Sequence, residues 1–127
     1  DKFCVERHKQ HFLNLVKNKL DIIFANEEEI MSLIDTNNFD EVINFAKEIN
    51  KHLIITRGEK GAISVLHNKI SEIGVKNNLK IVDLTGAGDL FAAGYLHELI
   101  KNSSPKKCLE KGTELSSKII QQIGARF

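Results

Sequence analysis

Two short runs, Asp21-Ile-Ile-Phe-Ala25 and His52-Leu-Ile-Ile-Thr56, are apolar without alternation. A strand with one wet face alternates apolar and polar residues, so a continuous apolar run predicts a strand covered on both faces. The segments around these runs carry a helical period instead. Val5 to Lys19, with apolar Val5, Phe12, Leu13, Leu15 and Val16, predicts a single amphipathic helix. Asn26 opens a short helix through Ile34. Asp40 to Ile49 forms another, with Val42, Ile43, Phe45, Ala46 and Ile49 toward the core. Strand and helix in alternation predict an α/β fold with parallel strands in the first half.

The middle of the chain has a different rhythm. Gly58-Glu-Lys-Gly61 turns the chain into Ala62 to Leu66, and Asn68-Lys69 is a second tight turn before Ile70 to Ile73. These hairpins add antiparallel strands at one edge of a mostly parallel sheet. Leu79 to Val82 predicts a further strand, and Leu90 to Ile100 a helix. Pro105 suits the first position of a last helix after Ser103-Ser104, which runs to Ile123 and ends at Gly124.

Composition narrows the class. With 127 residues, 42% of them hydrophobic and 28% charged, the chain is one domain's worth, able to bury a core and unlike a disordered chain. A net charge of +1 gives no support for a nucleic-acid or membrane-surface partner. No apolar run is long enough to span a bilayer and no signal peptide is read, so a cytoplasmic location is expected. Cys4 and Cys108 lie far apart, without metal-type spacing, and read as free thiols. The chain begins at Asp1 rather than Met, which reads as the loss of a natural N-terminus.

Chemistry concentrates in Asp83-Leu-Thr-Gly-Ala-Gly-Asp89, which enters the helix from Leu90. Gly86 and Gly88 permit close approach of backbone to a phosphate. The N–H groups of Ala87, Gly88 and Asp89 form an anion hole for a phosphoryl group in transfer. Asp89 accepts the proton of the attacking hydroxyl, as in a small-molecule kinase. The plainer alternative is that Asp89 caps the helix and the glycines make a turn. Asn26 and Glu29, three apart after a buried strand, suit Mg2+ and its waters or nucleotide phosphates, and equally suit a capping box. Thr56, Gly58 and Gly61 close a buried strand where α/β folds place ligands, and equally suit a hairpin turn. His8 and His11 lack a third metal ligand, and His52, His67 and His97 are isolated. A dinucleotide-binding reading is weak, because Gly86-Ala-Gly88 lacks the third glycine.

Taken in order, Phe24-Ala-Asn-Glu-Glu-Glu29, Ile55-Thr-Arg-Gly-Glu-Lys-Gly61, Asp83 to Gly94 and Ile123-Gly-Ala-Arg126 resemble the C-terminal half of ribokinase-like, or PfkB, carbohydrate kinases. The wording is nearest to bacterial sugar- or adenosine-kinase-like members. The resemblance implies a partial ribokinase-like three-layer α/β sandwich. It implies transfer of the γ-phosphoryl of ATP to a hydroxymethyl group of a sugar or nucleoside. Asp89 is then the base, and Gly86, Ala87 and Gly88 form the anion hole with it. Asn26 and Glu29 govern Mg2+ and phosphate binding, and Thr56, Gly58 and Gly61 line the ATP site. Asp83 and Thr85 match a monovalent-cation (K+) site, an inference that Leu84 weakens. Complete members are more than twice as long. A fragment that needs its N-terminal half, with the lid and the substrate contacts, is therefore expected. A homo-oligomer and a non-catalytic remnant of the same fold are the alternatives.

Overall fold

In the computed structural model, which describes residues 2–19, 21–74 and 87–119, the two apolar runs form β1 (Ile22–Asn26) and β2 (His52–Thr56). They pair in parallel, Ile22 opposite His52 and Asn26 opposite Thr56. Every residue of β2 except Thr56 is buried, as its unbroken apolar run requires. A parallel pair needs a long crossover. Here it consists of α3 (Glu27–Leu33) and α4 (Phe39–Ile49), which bury Ile30, Leu33, Val42 and Ala46. Asn38 begins α4 by accepting the Asp40 N–H at 2.9 Å, and Asn50 ends it in the left-handed region at φ 51°.

The N-terminal segment forms two helices instead of the single one expected. α1 (Lys2–Arg7) and α2 (Lys9–Asn18) are separated at His8, whose φ of −124° and ψ of 35° are not helical. Both pack against α3. At seven residues α3 is only about 10 Å long. One straight helix would carry an end past it, whereas the break lets both Val5 and Val16 become buried. The sequence contains no Pro or Gly there to mark the bend.

β3 (Ala62–Leu66) follows β2 through Arg57, a 3-10 turn (Gly58–Lys60) and Gly61, and β4 (Lys69–Ile73) follows β3 directly. These connections are too short for a crossover, so both pairings are antiparallel. The sheet order is β1-β2-β3-β4. The β3–β4 turn is His67-Asn68, one residue earlier than expected. Both residues have positive φ (48° and 66°), as a two-residue turn of type I′ demands.

α5 (Ala87–Ile100) and α6 (Pro105–Ile119) follow. α5 starts three residues before the expected Leu90, and α6 starts at Pro105 as read. The strand expected at Leu79 to Val82 and the cap at Gly124 lie outside the described residues. The chain divides into two compact units, Asp1–Arg57 with Ser64–Ile70 and Gly58–Ile63 with Ser71–Phe127. Val5, Val16, Ile30, Val42, Leu53 and Ile55 are buried in the first, and Phe91, Tyr95, Cys108 and Leu109 in the second. Each such apolar side chain contributes about 1.5–3 kcal/mol when fully buried.

Within the second unit α5 and α6 meet backbone to backbone. A Cβ on Gly94 would lie 2.8 Å from the Lys111 carbonyl oxygen, and one on Gly112 would lie 2.8 Å from that of Phe91. A mid-helix glycine costs about 0.5–1 kcal/mol relative to alanine. The close crossing explains why both positions carry one.

Among the described residues, the first unit buries one polar pair, His52 and Ser64. His52 Nε2 lies 3.0 Å from Ser64 Oγ, and both residues are buried. Burial, and secondarily the nearby His67, holds the His52 pKa below its ordinary value. The unfolded chain takes up this proton near pH 6.5, and the folded chain only at lower pH. The contribution of His52 to stability is therefore full above that pH and is lost as pH falls toward the folded pKa. The melting temperature is expected to drop from pH 7.5 to pH 5, and to drop less in His52→Gln. Equal drops in the two proteins would contradict this account.

Candidate functional site

Asn26 and Thr56 are the last residues of two adjacent parallel strands and stand opposite each other. Neighbouring strands lie about 4.8 Å apart, so the two positions are side by side on one face. The carboxyl ends of parallel strands are where open α/β sheets place ligands. Asn26 is exposed and Thr56 half-buried. Asn26 is also the N-cap of α3. Its Oδ1 accepts the Glu29 N–H at 2.8 Å, and Glu29 Oε1 accepts the Asn26 N–H at 2.9 Å. The capping box is thus formed in full. A carbonyl oxygen has two lone pairs, so the box does not exhaust Asn26 Oδ1.

One residue beyond each strand end comes a contact that sequence reasoning missed. Arg57 Nε lies 3.3 Å from Glu27 Oε2, and Arg57 Nη2 lies 3.4 Å from Glu27 Oε1. The guanidinium carbon sits 3.6 Å from the centre of the Phe39 ring. The only signal in the sequence was position, since Glu27 follows Asn26 and Arg57 follows Thr56.

In the second unit, Gly58 and Gly61 bracket the 3-10 turn. Gly61 has a φ of +93°, and a Cβ there would lie 1.9 Å from the Ile73 carbonyl oxygen. The fold alone therefore demands glycine at this position. Gly58 has a φ of +57° with nothing within 4 Å, so its conformation and not its space selects glycine.

Ala87, Gly88 and Asp89 are the first three residues of α5. The first four N–H groups of a helix have no partner within it, and they sit at the positive end of its dipole. Asp89 is exposed in this first turn, as the third helical residue rather than the cap. Gly88 has neither a positive φ nor any described atom within 4 Å of an added Cβ. No packing among the described residues requires glycine there. Gly86, Asp83 and Thr85 lie outside the described residues, as do Ile123 to Arg126.

Within the first unit the structure thus brings together Asn26, Glu29 and Thr56. Within the second it brings together Ala87, Gly88 and Asp89. The donors are carboxamide, carboxylate and hydroxyl oxygens, which suit Mg2+, and exposed backbone N–H groups, which suit phosphate. Among the described residues no group of three or more His, Cys, Asp or Glu could hold a metal. Mg2+ ordinarily uses one or two carboxylates together with substrate phosphates and water, so the oxygens of the first unit taken by themselves fit an ion that arrives with phosphates of its own. His11 is exposed. Cys108 is a buried free thiol whose pKa is pushed up by burial and by the charge of Glu98, the opposite of what a nucleophile needs. Among the described residues no helix is long and apolar enough to cross a membrane.

Residues 4–127 match the profile of the pfkB family carbohydrate kinases. The nucleoside kinase of Methanocaldococcus jannaschii is 28% identical over 118 residues, covering 93% of this chain and 38% of that protein. Among solved structures, the probable sugar kinase from Rhizobium etli CFN 42 superimposes with a TM-score of 0.92 at 37% identity, over 98% of this chain and 38% of that one. The adenosine kinase from Sinorhizobium meliloti does so with a TM-score of 0.92 at 34% identity and the same coverage. The chain therefore spans about two fifths of the length of these relatives.

Proposed function

This chain belongs to the pfkB family of carbohydrate kinases, which fold as ribokinase-like α/β proteins, and on that premise we propose that it carries the nucleotide-handling part of an ATP-dependent phosphotransferase. The reaction is transfer of the γ-phosphoryl of ATP to a hydroxymethyl group of a sugar or nucleoside, in the cytoplasm. The observation that carries the reading is the start of α5, where an exposed carboxylate, Asp89, shares the first turn with an unobstructed glycine, Gly88. Relatives named as nucleoside, adenosine and sugar kinases support the substrate class.

Asp89 takes the proton of the acceptor hydroxyl as the hydroxyl oxygen bonds to the γ-phosphorus of ATP, while the bond from that phosphorus to the β–γ bridging oxygen breaks and ADP leaves. The N–H groups of Ala87, Gly88 and Asp89, with Gly86, hold the charge on the phosphoryl oxygens. Phosphoryl transfer demands little covalent help from the protein, so positioning and electrostatics are its main contributions. Thr56 donates its hydroxyl to a nucleotide phosphate, and Gly58 and Gly61 are the proposed glycines of the ATP site. Asn26 and Glu29 would hold Mg2+ through water, and the ion would supply neutralisation of phosphate charge. Asp83 and Thr85 are the proposed ligands of a monovalent cation, K+. Contacts to the acceptor come from the part of a relative-length kinase that lies beyond this chain, its N-terminal half, and that half is the proposed partner.

The test is calorimetric titration of the folded 127-residue chain with Mg-ATP. Saturable binding is expected. Gly88→Ala is expected to leave the fold intact and to add up to about 1 kcal/mol of helix stability. Gly88→Val is expected to weaken Mg-ATP binding by about tenfold, because its branched side chain blocks backbone approach. A folded chain that binds no Mg-ATP would overturn the reading. Unchanged affinity in Gly88→Val would reduce the turn to a structural role.

A further inference from the structure

We propose that Arg57 is a positioning residue for the nucleotide site, one that locks the carboxyl ends of β1 and β2 together from behind. The inference rests on the reading of Asn26, Glu29 and Thr56 as the Mg2+ and phosphate element. Thr56 and Asn26 stand in register, and the residues directly after them, Arg57 and Glu27, are joined by two N–H···O contacts at 3.3 and 3.4 Å. Both side chains are largely withdrawn from solvent, at 17% and 22% exposure, so water screens their attraction less than it would at the surface. Phe39, the first residue of α4, lies under the flat face of the guanidinium at 3.6 Å. One side chain thereby ties three element ends to one another: the end of β2, the start of α3 and the start of α4.

This arrangement needs arginine. Its planar fork reaches a carboxylate with two nitrogens while its face stacks on a ring, whereas lysine offers a single point charge. Glu27 is engaged by the fork and Arg57 is engaged by both partners, so neither is placed to take a phosphate itself. Their effect is on where Asn26 and Thr56 sit. A site of this kind loses function when its groups shift by fractions of an ångström, even though nothing that touches the ligand has changed.

The experiment compares wild type, Arg57→Lys and Glu27→Gln by calorimetric titration with ATP, with and without Mg2+, and by thermal melting. A general loosening lowers both affinities alike, whereas displacement of the Mg2+ element lowers the enhancement that Mg2+ gives. Arg57→Lys, which keeps charge and stem, is expected to melt within a few degrees of wild type. Its Mg2+ enhancement is expected to fall at least about fivefold. Glu27→Gln is expected to lose as much, and the double variant no more than the worse single one, because all three remove the same link. A wild-type chain without Mg2+ enhancement would overturn the underlying reading and this proposal with it. Wild-type enhancement that persists in Arg57→Lys would overturn the positioning role alone.

Discussion

Asp89→Asn is expected to lower kcat by about two to four orders of magnitude while ATP affinity stays within a few fold. Asparagine has nearly the shape of aspartate and suits the first turn of a helix equally well, so α5 keeps its start. What disappears is the only group in that turn able to take a proton. Ala87 has no polar side-chain atom and Gly88 has no side chain. The N–H groups proposed to hold phosphate belong to the backbone and survive the change, which is why binding and turnover are expected to separate. The measurement is steady-state kinetics on a protein that joins residues 1–127 to the part of a relative-length kinase proposed to bind the acceptor. A fall of less than tenfold would remove Asp89 from the role of base. A parallel loss of ATP affinity would mean that its charge had served the fold or the nucleotide instead.

Gly61→Ala is expected to have the largest effect on stability, about 3–5 kcal/mol. The new methyl group would lie 1.9 Å from the Ile73 carbonyl oxygen, 2.8 Å from the Gly74 Cα and 2.9 Å from the Ile73 carbonyl carbon. All three are main-chain atoms of the following hairpin, so no rotamer change relieves the contact. The φ of +93° adds strain, because an L-residue rarely adopts it. Gly58→Ala is the control. Its φ of +57° costs about 1–2 kcal/mol, and open space leaves no clash to add. Chemical denaturation should rank the variants in that order. Similar losses at both glycines would mean that the hairpin moves aside easily and that Gly61 is not held as tightly as its surroundings imply.

The parts of the fold legible in the sequence were those written in short-range pattern. β2 has no alternation because both its faces are covered, and it was read to the residue. Asn26-x-x-Glu29 announced a helix start because its two hydrogen bonds close within four residues. Pro105 marked the start of α6 because its ring suits the first helical turn. What could not be read depended on partners distant in sequence. His8 breaks a helix with no breaker residue, since the bend answers to the length of α3. His67 takes a left-handed conformation because the hairpin requires it, and its Nδ1 lies 3.1 Å from Asn50 Oδ1 across the end of α4. Gly94 and Gly112 look like weak points in two helices until the helices are brought together.

The candidate site divides along the same line. Asn26, Glu29, Thr56 and the first turn of α5 were proposed from residue type and spacing. The Glu27–Arg57–Phe39 contact was not, because the sequence separates its members and only the pairing of β1 with β2 unites them. Nothing in the sequence could distinguish Gly61, which the hairpin needs, from Gly88, which no described neighbour needs.

The crossing of Gly94 on Gly112 gives α5 and α6 the mechanics of a lever. Where side chains separate two helices, methyl groups and rings yield and absorb a displacement. Here the main chain at Gly94 meets the main chain of Lys111 and Gly112, and Gly112 meets the carbonyl and the buried ring of Phe91, so the joint has little compliance. Asp89 lies five residues up the helix from this joint, an arm of about 7.5 Å. A tilt of α5 by about 5° about the crossing would therefore carry the Asp89 backbone through about 0.7 Å, close to the displacement that costs an active site much of its rate. The stiffness of so close a crossing thus bears on how accurately a carboxylate about one and a half turns away is held.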